Sequence, residues 1–514
     1  MLLPYLSEVR STSKKYSVVF RGLNYGEGTQ DGEFAETQNL STDQYPCITQ
    51  RATRLKVAEY AEPTTLHSKG RLLVIDGTDV IYGGNKVGEV EEGKKQTATV
   101  GNYIVIFPDK KYYKVPTEDD KDGEFGNMEI IHEVAGVEFT SSSIKKEGAN
   151  FPFGKGDSVT ITGSTKNEND KTTEIIIRGV TADELTFDVD SFTAIKEADD
   201  VVVTISRTVP ELDFICESNY RLWGTHGNTI YASAWGDPIN FKSFEGLAND
   251  SYNIEMGSEG EFTGCIPYAS HICFFKENTL HKMYGTKPSN FQVNTVNVYG
   301  VQSGSERSMQ IVNEQLLYKG VGGVYAYTGG VPELISQKFG NRRYSDAVAC
   351  CDGEKYYISM RQGDDYSLFT YDIARNIWLR EDDTHAVDMT FYDGKVYFLD
   401  AEGGLYYIDK TAECDHIEWS ATLCTINETM NERKGYSKFH LRMDLSAGAW
   451  LAVDIKTDNE PQWRQIYTTH NEKAKTVSIP IMPNRCDSID IRLRGTGKCT
   501  IKTFIREFSV GSDV

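Results

Sequence analysis

Apolar and polar residues alternate in short runs along most of this chain, and sustained helical periodicity is scarce. RLLVIDGTDVIYGGN (71–85) reads as strand, Asp-Gly turn, strand and Gly-Gly turn. NYIVIFPDKKYYKV (102–115) reads as a hairpin across Pro108-Asp109. NYRLWGTHGNTIYASAW (219–235) turns at His226-Gly227, and HICFFKENTLHKMYG (271–285) turns at Glu277-Asn278. QLLYKGVGGVYAYTGG (315–330), EKYYISMRQGDDYSLFTYDIARNIW (354–378) and KVYFLDAEGGLYYID (395–409) continue the series.

From Asn219 onward these hairpins recur about every 40 residues, a period that predicts propeller blades. A lone hairpin cannot bury both faces, whereas stacked blades bury them against each other. A β-sandwich with long loops is the competing expectation. The repeats are too degenerate to count, and roughly six to eight blades fit them. Within 320–330, GVGGVYAYTGG, Val324, Tyr325, Ala326 and Tyr327 form a strand between glycine reversals. No helix pattern follows it, so it reads as scaffold and not as a phosphate-cradling loop.

Changes of texture set the expected domains. Residues 1–60 read as an N-terminal extended arm, with an irregular surface segment as the alternative, because 20–54 is rich in Gly, Asn, Gln and Thr with little period. The propeller occupies 61–125 and 209–412. The interval 126–208 is an inserted small β-barrel or sandwich, with three strands between 156 and 192. Residues 413–514 form a C-terminal β-sandwich, clearest in AWLAVDIKTD and SIDIRLRGTGKCTIKTFIREF. The fold class is therefore all-β.

The chain has 514 residues, of which 39% are hydrophobic, enough for several buried cores. Tyr (29), Phe (23) and Gly (45) are abundant beside 14 Pro, which suits aromatic strands joined by glycine turns. The 75 acidic and 54 basic residues leave a formal charge of -21, with no basic stripe of the kind that grips phosphates. An acidic wall would instead let DNA slide past without sticking. MLLPYLSEVR is too short and broken in its apolar part for a signal peptide, and no stretch approaches a membrane span. The expectation is a soluble protein made in the cytoplasm. The ten cysteines form no C-x-x-C, so free buried thiols are expected.

Chemical motifs are few. The G-x-S-x-G, H-E-x-x-H and G-x-x-x-x-G-K-[ST] patterns are absent, and the nine histidines are isolated. His226 reads as a turn residue. Glu118, Asp120, Asp122, Gly123 and Glu129 match a calcium loop except that Glu stands first, but strands flank them where helices should. An acidic linker is the preferred reading, and no cofactor is expected. Asp237, Asp364 and Asp365 are candidate paired acids of a glycosidase, although acids in β-turns are usually turn formers. No template with named roles is met, so the reading is non-enzymatic. Tyr325, Tyr327, Tyr356, Tyr357, Tyr397, Tyr406 and Tyr407 are candidates for sugar or partner binding, and more simply fill the core between blades.

Several phrases together resemble tailed-bacteriophage virion proteins. FRGLNYGEGTQDGEFAETQNLSTDQYPCITQRATR (20–54) is similar to their start: a Gly-Leu-Asn segment, an Asn-Leu-Ser segment, a Tyr-Pro and a closing Arg. ELDFICESNYRLWGT with SAWGDPINF, FFKENTLHKMYG and LLYKGVGGVYAYTGGVPELIS resemble their blades. IPIMPNRCDSIDIRLRGTGKCTIKTFIREFSVGSDV resembles their terminal sandwich. The resemblance implies a structural tail or neck protein, nearest to the tail nozzle of short-tailed phages. It implies a self-assembled ring, commonly a hexamer, below the portal and adaptor and beside other tail proteins. The channel would retain phage DNA and pass it during ejection, without sequence-specific binding. It implies a virion location after assembly in host cytoplasm. The alternatives are a carbohydrate-binding propeller acting in host adsorption and, after it, a glycan hydrolase.

Overall fold

The computed structural model describes residues 12–118, 122–412, 417–458, 460–471, 475–482 and 485–510. Among them the regular structure is strand, apart from the single-turn 3-10 helices Pro288–Asn290, Glu306–Ser308 and Gln337–Phe339. No helix of the described residues is long and apolar enough to cross a membrane. The chain divides into two units, Tyr60–Met309 and Met1–Glu59 with Gln310–Val514.

The protein is all-β, of the propeller class, with an inserted small β domain and a C-terminal β-sandwich. Its blades are four-stranded antiparallel meanders. Unit Tyr60–Met309 carries four of them among the described residues, over 63–89, 96–127, 214–255 and 264–297. The other unit carries three, over 310–334, 345–382 and 386–409, the last completed by Thr53–Glu59 paired on Gly404–Asp409.

The strand Tyr103–Phe107 shows why an unbroken apolar run forms a blade. Successive side chains point to opposite faces. Ile104 and Ile106 pack with Leu73, Ile75 and Val80 of the preceding blade. Val105 and Phe107 pack with Ile215 and Leu222 of the following one. All four residues from Ile104 to Phe107 are 0% exposed, which a half-buried alternating strand could not achieve. The same division recurs at Tyr356, Tyr357 and Ile358, where Tyr357 faces Met389 and Phe398 and its two neighbours face the opposite core.

The inserted domain has two small sheets over 130–207. Val137, Ile144, Val159, Ile161, Val203 and Ile205 form its fully buried centre. Its first and last residues, Ile130 and Arg207, are paired across adjacent strands, so entry and exit lie side by side.

The sandwich packs Phe439, Leu441, Phe504 and Phe508 of one sheet against Leu451, Val453, Ile491 and Leu493 of the other. The described part of the segment expected as an extended arm is woven into it. Thr12–Ser17 and Ile48–Gln50 pair with Cys499–Val510, and Glu33–Gln38 pairs with Glu418–Leu423. The expectation of an arm failed here because the buried positions include Glu33, Thr37, Thr49 and Gln50, which hide the apolar period. The boundary expected at 412/413 adjoins 413–416, which lie outside the described residues, as does MLLPYLSEVR. The nine described cysteines are free thiols, and Cys414 lies outside the described residues.

Candidate functional site

The calcium-loop residues are not gathered. Glu118 and Asp122 are exposed, and Asp120 lies outside the described residues. Strand Glu124–Asn127, about 10 Å long at roughly 3.3 Å per residue, runs between Asp122 and Glu129. Glu129 is engaged elsewhere: its Oε1 accepts from Lys110 Nζ at 2.9 Å and from the Val209 amide at 3.2 Å. Gly123, the turn residue of the motif, has a different reason to be glycine. A Cβ there would lie 2.2 Å from Tyr113 Oη. Among the described residues, no group of three or more His, Cys, Asp or Glu is placed to hold a metal ion.

The candidate acids belong to different units. Asp237 is half-buried, and burial pushes its carboxyl above the usual range. Its Oδ1 accepts from the Ile239 amide at 3.2 Å within the turn closed by the Ala234–Asp237 bridge. Asp364 and Asp365 are exposed at the turn between Lys355–Gln362 and Asp365–Asp372. His226 faces Asp213 at 3.1 Å on the surface.

The tyrosines divide by burial. Tyr325, Tyr327, Tyr356 and Tyr357 are buried, the last two between blades. Tyr397, Tyr406 and Tyr407 are half-buried, with Tyr397 and Tyr407 at 5.4 Å and Lys395 Nζ 4.1 Å from the Tyr407 ring centre.

Two buried charge networks shape the units. Arg54 Nη1 donates to Asp382 at 2.7 Å and Nη2 to Glu381 at 2.5 Å, while Arg51 Nε donates to Asn39 Oδ1 at 2.8 Å. Burial pushes the Asp382 carboxyl up, but Arg54, the Thr384 hydroxyl and Arg51 more than offset this and hold it below the usual range. In the other unit Asp157, 1% exposed, accepts from Arg207 Nη1 and Asn240 Nδ2, both at 2.8 Å. That network fastens the inserted domain to the 233–251 excursion of the blade beside it.

The aromatic pair that the sequence reading missed is exposed. Tyr220 and Trp235 are 61% and 53% exposed, with ring centres 6.1 Å apart at 72°. Asn219 and Tyr220 form the two-residue turn between Phe214–Ser218 and Arg221–His226, with φ of 53° and 58°. Tyr is a costly residue there, since positive φ favours glycine or asparagine. The Gly236 amide donates to Tyr220 O at 2.9 Å, and buried Arg221 donates to Ser233 O, Ala248 O and Asp250 O, fixing the loop that carries Trp235. The one sequence signal was Asn-Tyr at a hairpin turn where Asn-Gly is usual.

No family model and no curated protein matches the chain. Among solved structures, the computationally designed Ika8 protein is 12% identical, with 69% of this chain and 98% of that one covered at a TM-score of 0.36. BamB from Moraxella catarrhalis is 10% identical, covering 71% and 98% at a TM-score of 0.35. The N-terminal domain of Nup159 is 10% identical, covering 76% and 98% at a TM-score of 0.25. At these scores the fold class stands on the sheet topology of the chain itself.

Proposed function

We propose that the protein is a structural, non-enzymatic component of a bacteriophage tail, nozzle-like, forming a homo-oligomeric ring below the portal and adaptor. The ring is part of the DNA conduit and helps to retain and release the genome. One observation carries the reading: the residues of the phage-like opening phrase hold decisive positions in their unit. Gly22 has φ +78°, and a Cβ on it would lie 2.4 Å from Trp378 O; Leu23 is fully buried; Asn24 Nδ2 donates to Glu33 at 2.7 Å. In the Asn-Leu-Ser segment, Asn39 bonds Arg51 and Glu418 O, Leu40 is buried, and Ser41 Oγ accepts from Lys355. The closing Arg54 is the buried centre of the Glu381–Asp382 network. That the residues carrying the resemblance are ones their unit depends on supports the reading. The charge of -21 suits a conduit that DNA passes without adhering.

Electron microscopy of the purified protein and of virions tests the proposal. Rings of fixed order, and the chain at the tail or neck, are expected. A protein that stays monomeric at all concentrations and is missing from virions sinks it. A second reading, carbohydrate binding in host adsorption, is favoured by the Tyr220–Trp235 pair, since exposed rings on a fixed loop suit the apolar face of a sugar. A glycan array separates the two: saturable binding lost in Tyr220→Ala and Trp235→Ala supports adsorption, and silence leaves the structural role.

A further inference from the structure

The glycine hairpin at 320–323 borders a cavity of about 200 Å³ inside one unit. Its lining includes Lys319, Arg342, Arg343, Ser336, Gly322 and Gly323, and it contains no carboxylate. Its charged lining residues are all cations, in a chain with 75 acidic residues.

The arrangement is built. Lys319 is 1% exposed, opposite Val324 in the ladder, and its Nζ donates to Gly320 O at 2.5 Å. Burial, then the charge of Arg343, push the Lys319 ammonium down to about 8, so its charge is held at a cost. The Arg342 guanidinium lies 3.5 Å from the Tyr25 ring centre, which anchors it at the rim. Arg343 is exposed and donates only to backbone carbonyls, Gly340 O at 3.3 Å and Arg342 O at 3.2 Å. Ser336 Oγ accepts from the Val324 amide at 2.9 Å, and a Cβ on Gly323 would lie 2.4 Å from it, so the wall is closely fitted there.

We propose that this cavity binds a tetrahedral oxyanion, a phosphate or phosphate monoester, held by Lys319, Arg342 and Arg343. Such a group relieves the repulsion among the cations and takes charge-assisted hydrogen bonds from each. The hairpin supplies the wall and the side chains supply the charge, so no helix N-terminus is needed. This inference does not rest on the tail role, and either can fail without the other.

Isothermal titration calorimetry of the full chain with inorganic phosphate, and separately with glycerol 3-phosphate, is the test. Saturable one-to-one binding at pH 7 is expected, weakened at least tenfold in Lys319→Met and in Arg343→Gln. Arg433→Gln, which removes an exposed charge from the sandwich, should bind as the parent does. Whichever anion binds more tightly identifies the source. No saturable heat up to about 10 mM of either anion overturns the proposal, because a site that weak contributes under roughly 3 kcal/mol. Equal affinity in Arg343→Gln and the parent overturns it as well, and that exposed position keeps the test valid if Lys319→Met does not fold.

Discussion

Arg54 shows how much one residue decides. Its guanidinium is enclosed with two carboxylates, so removing it leaves Glu381 and Asp382 charged beside the equally buried Arg51. Arg54→Met should lower stability by about 3–5 kcal/mol in urea unfolding. Adding Glu381→Gln and Asp382→Asn should recover part of that loss; a triple variant no more stable than the single one would contradict the account. His281 sets a pH dependence. It is 1% exposed between the Ser258 and Thr295 hydroxyls, and burial, then Lys276, push its imidazole down to about 4. The unfolded chain therefore binds more protons between about pH 4 and 6.5. Stability is fully present above that window and falls as the pH drops through it, by on the order of 3 kcal/mol. Denaturant midpoints at pH 7 and pH 4.5 should differ less in His281→Gln than in the parent, and equal differences would count against His281 as the source.

At the scale of elements, the inserted domain is a separable module. Ile130 and Arg207 are ladder partners, so a short Gly-containing turn can replace residues 131–206; the excision takes Asp157 away together with the walls around it, so Arg207 and Asn240 are returned to water and not left enclosed. The shortened chain should keep its strand spectrum and unfold cooperatively. The single change Asp157→Ala should be worse, costing about 3–5 kcal/mol, since it leaves Arg207 and Asn240 enclosed without their acceptor. An excision that destroys the fold while Asp157→Ala is harmless would reverse this ranking. The hairpins of the blades were legible because their alternation and turn residues are local properties. The strands at 12–50 were not: Glu33 is buried by virtue of Asn24 and Lys338, partners that local pattern does not reveal. The calcium-like spacing, for which an acidic linker is the preferred reading, carries the same lesson. Its acids are near in sequence, but strand Glu124–Asn127 holds them apart.

For the whole molecule, a charge of -21 means that self-repulsion opposes the compact state. Raising sodium chloride from about 20 to 300 mM shortens the Debye length from roughly 20 Å to 6 Å and should raise Tm by several degrees. A flat or falling Tm would mean that local pairing has already neutralised the field. By itself the sequence determined the all-β class, the blade period and the texture of the inserted domain, because side-chain alternation and turn chemistry act over a few residues. Only the tertiary structure decided that 12–50 closes the sandwich and that Lys319, Arg342 and Arg343 wall one cavity. Those outcomes depend on which distant segments share a buried space, and burial there selects polar residues by their partners, not by their hydrophobicity.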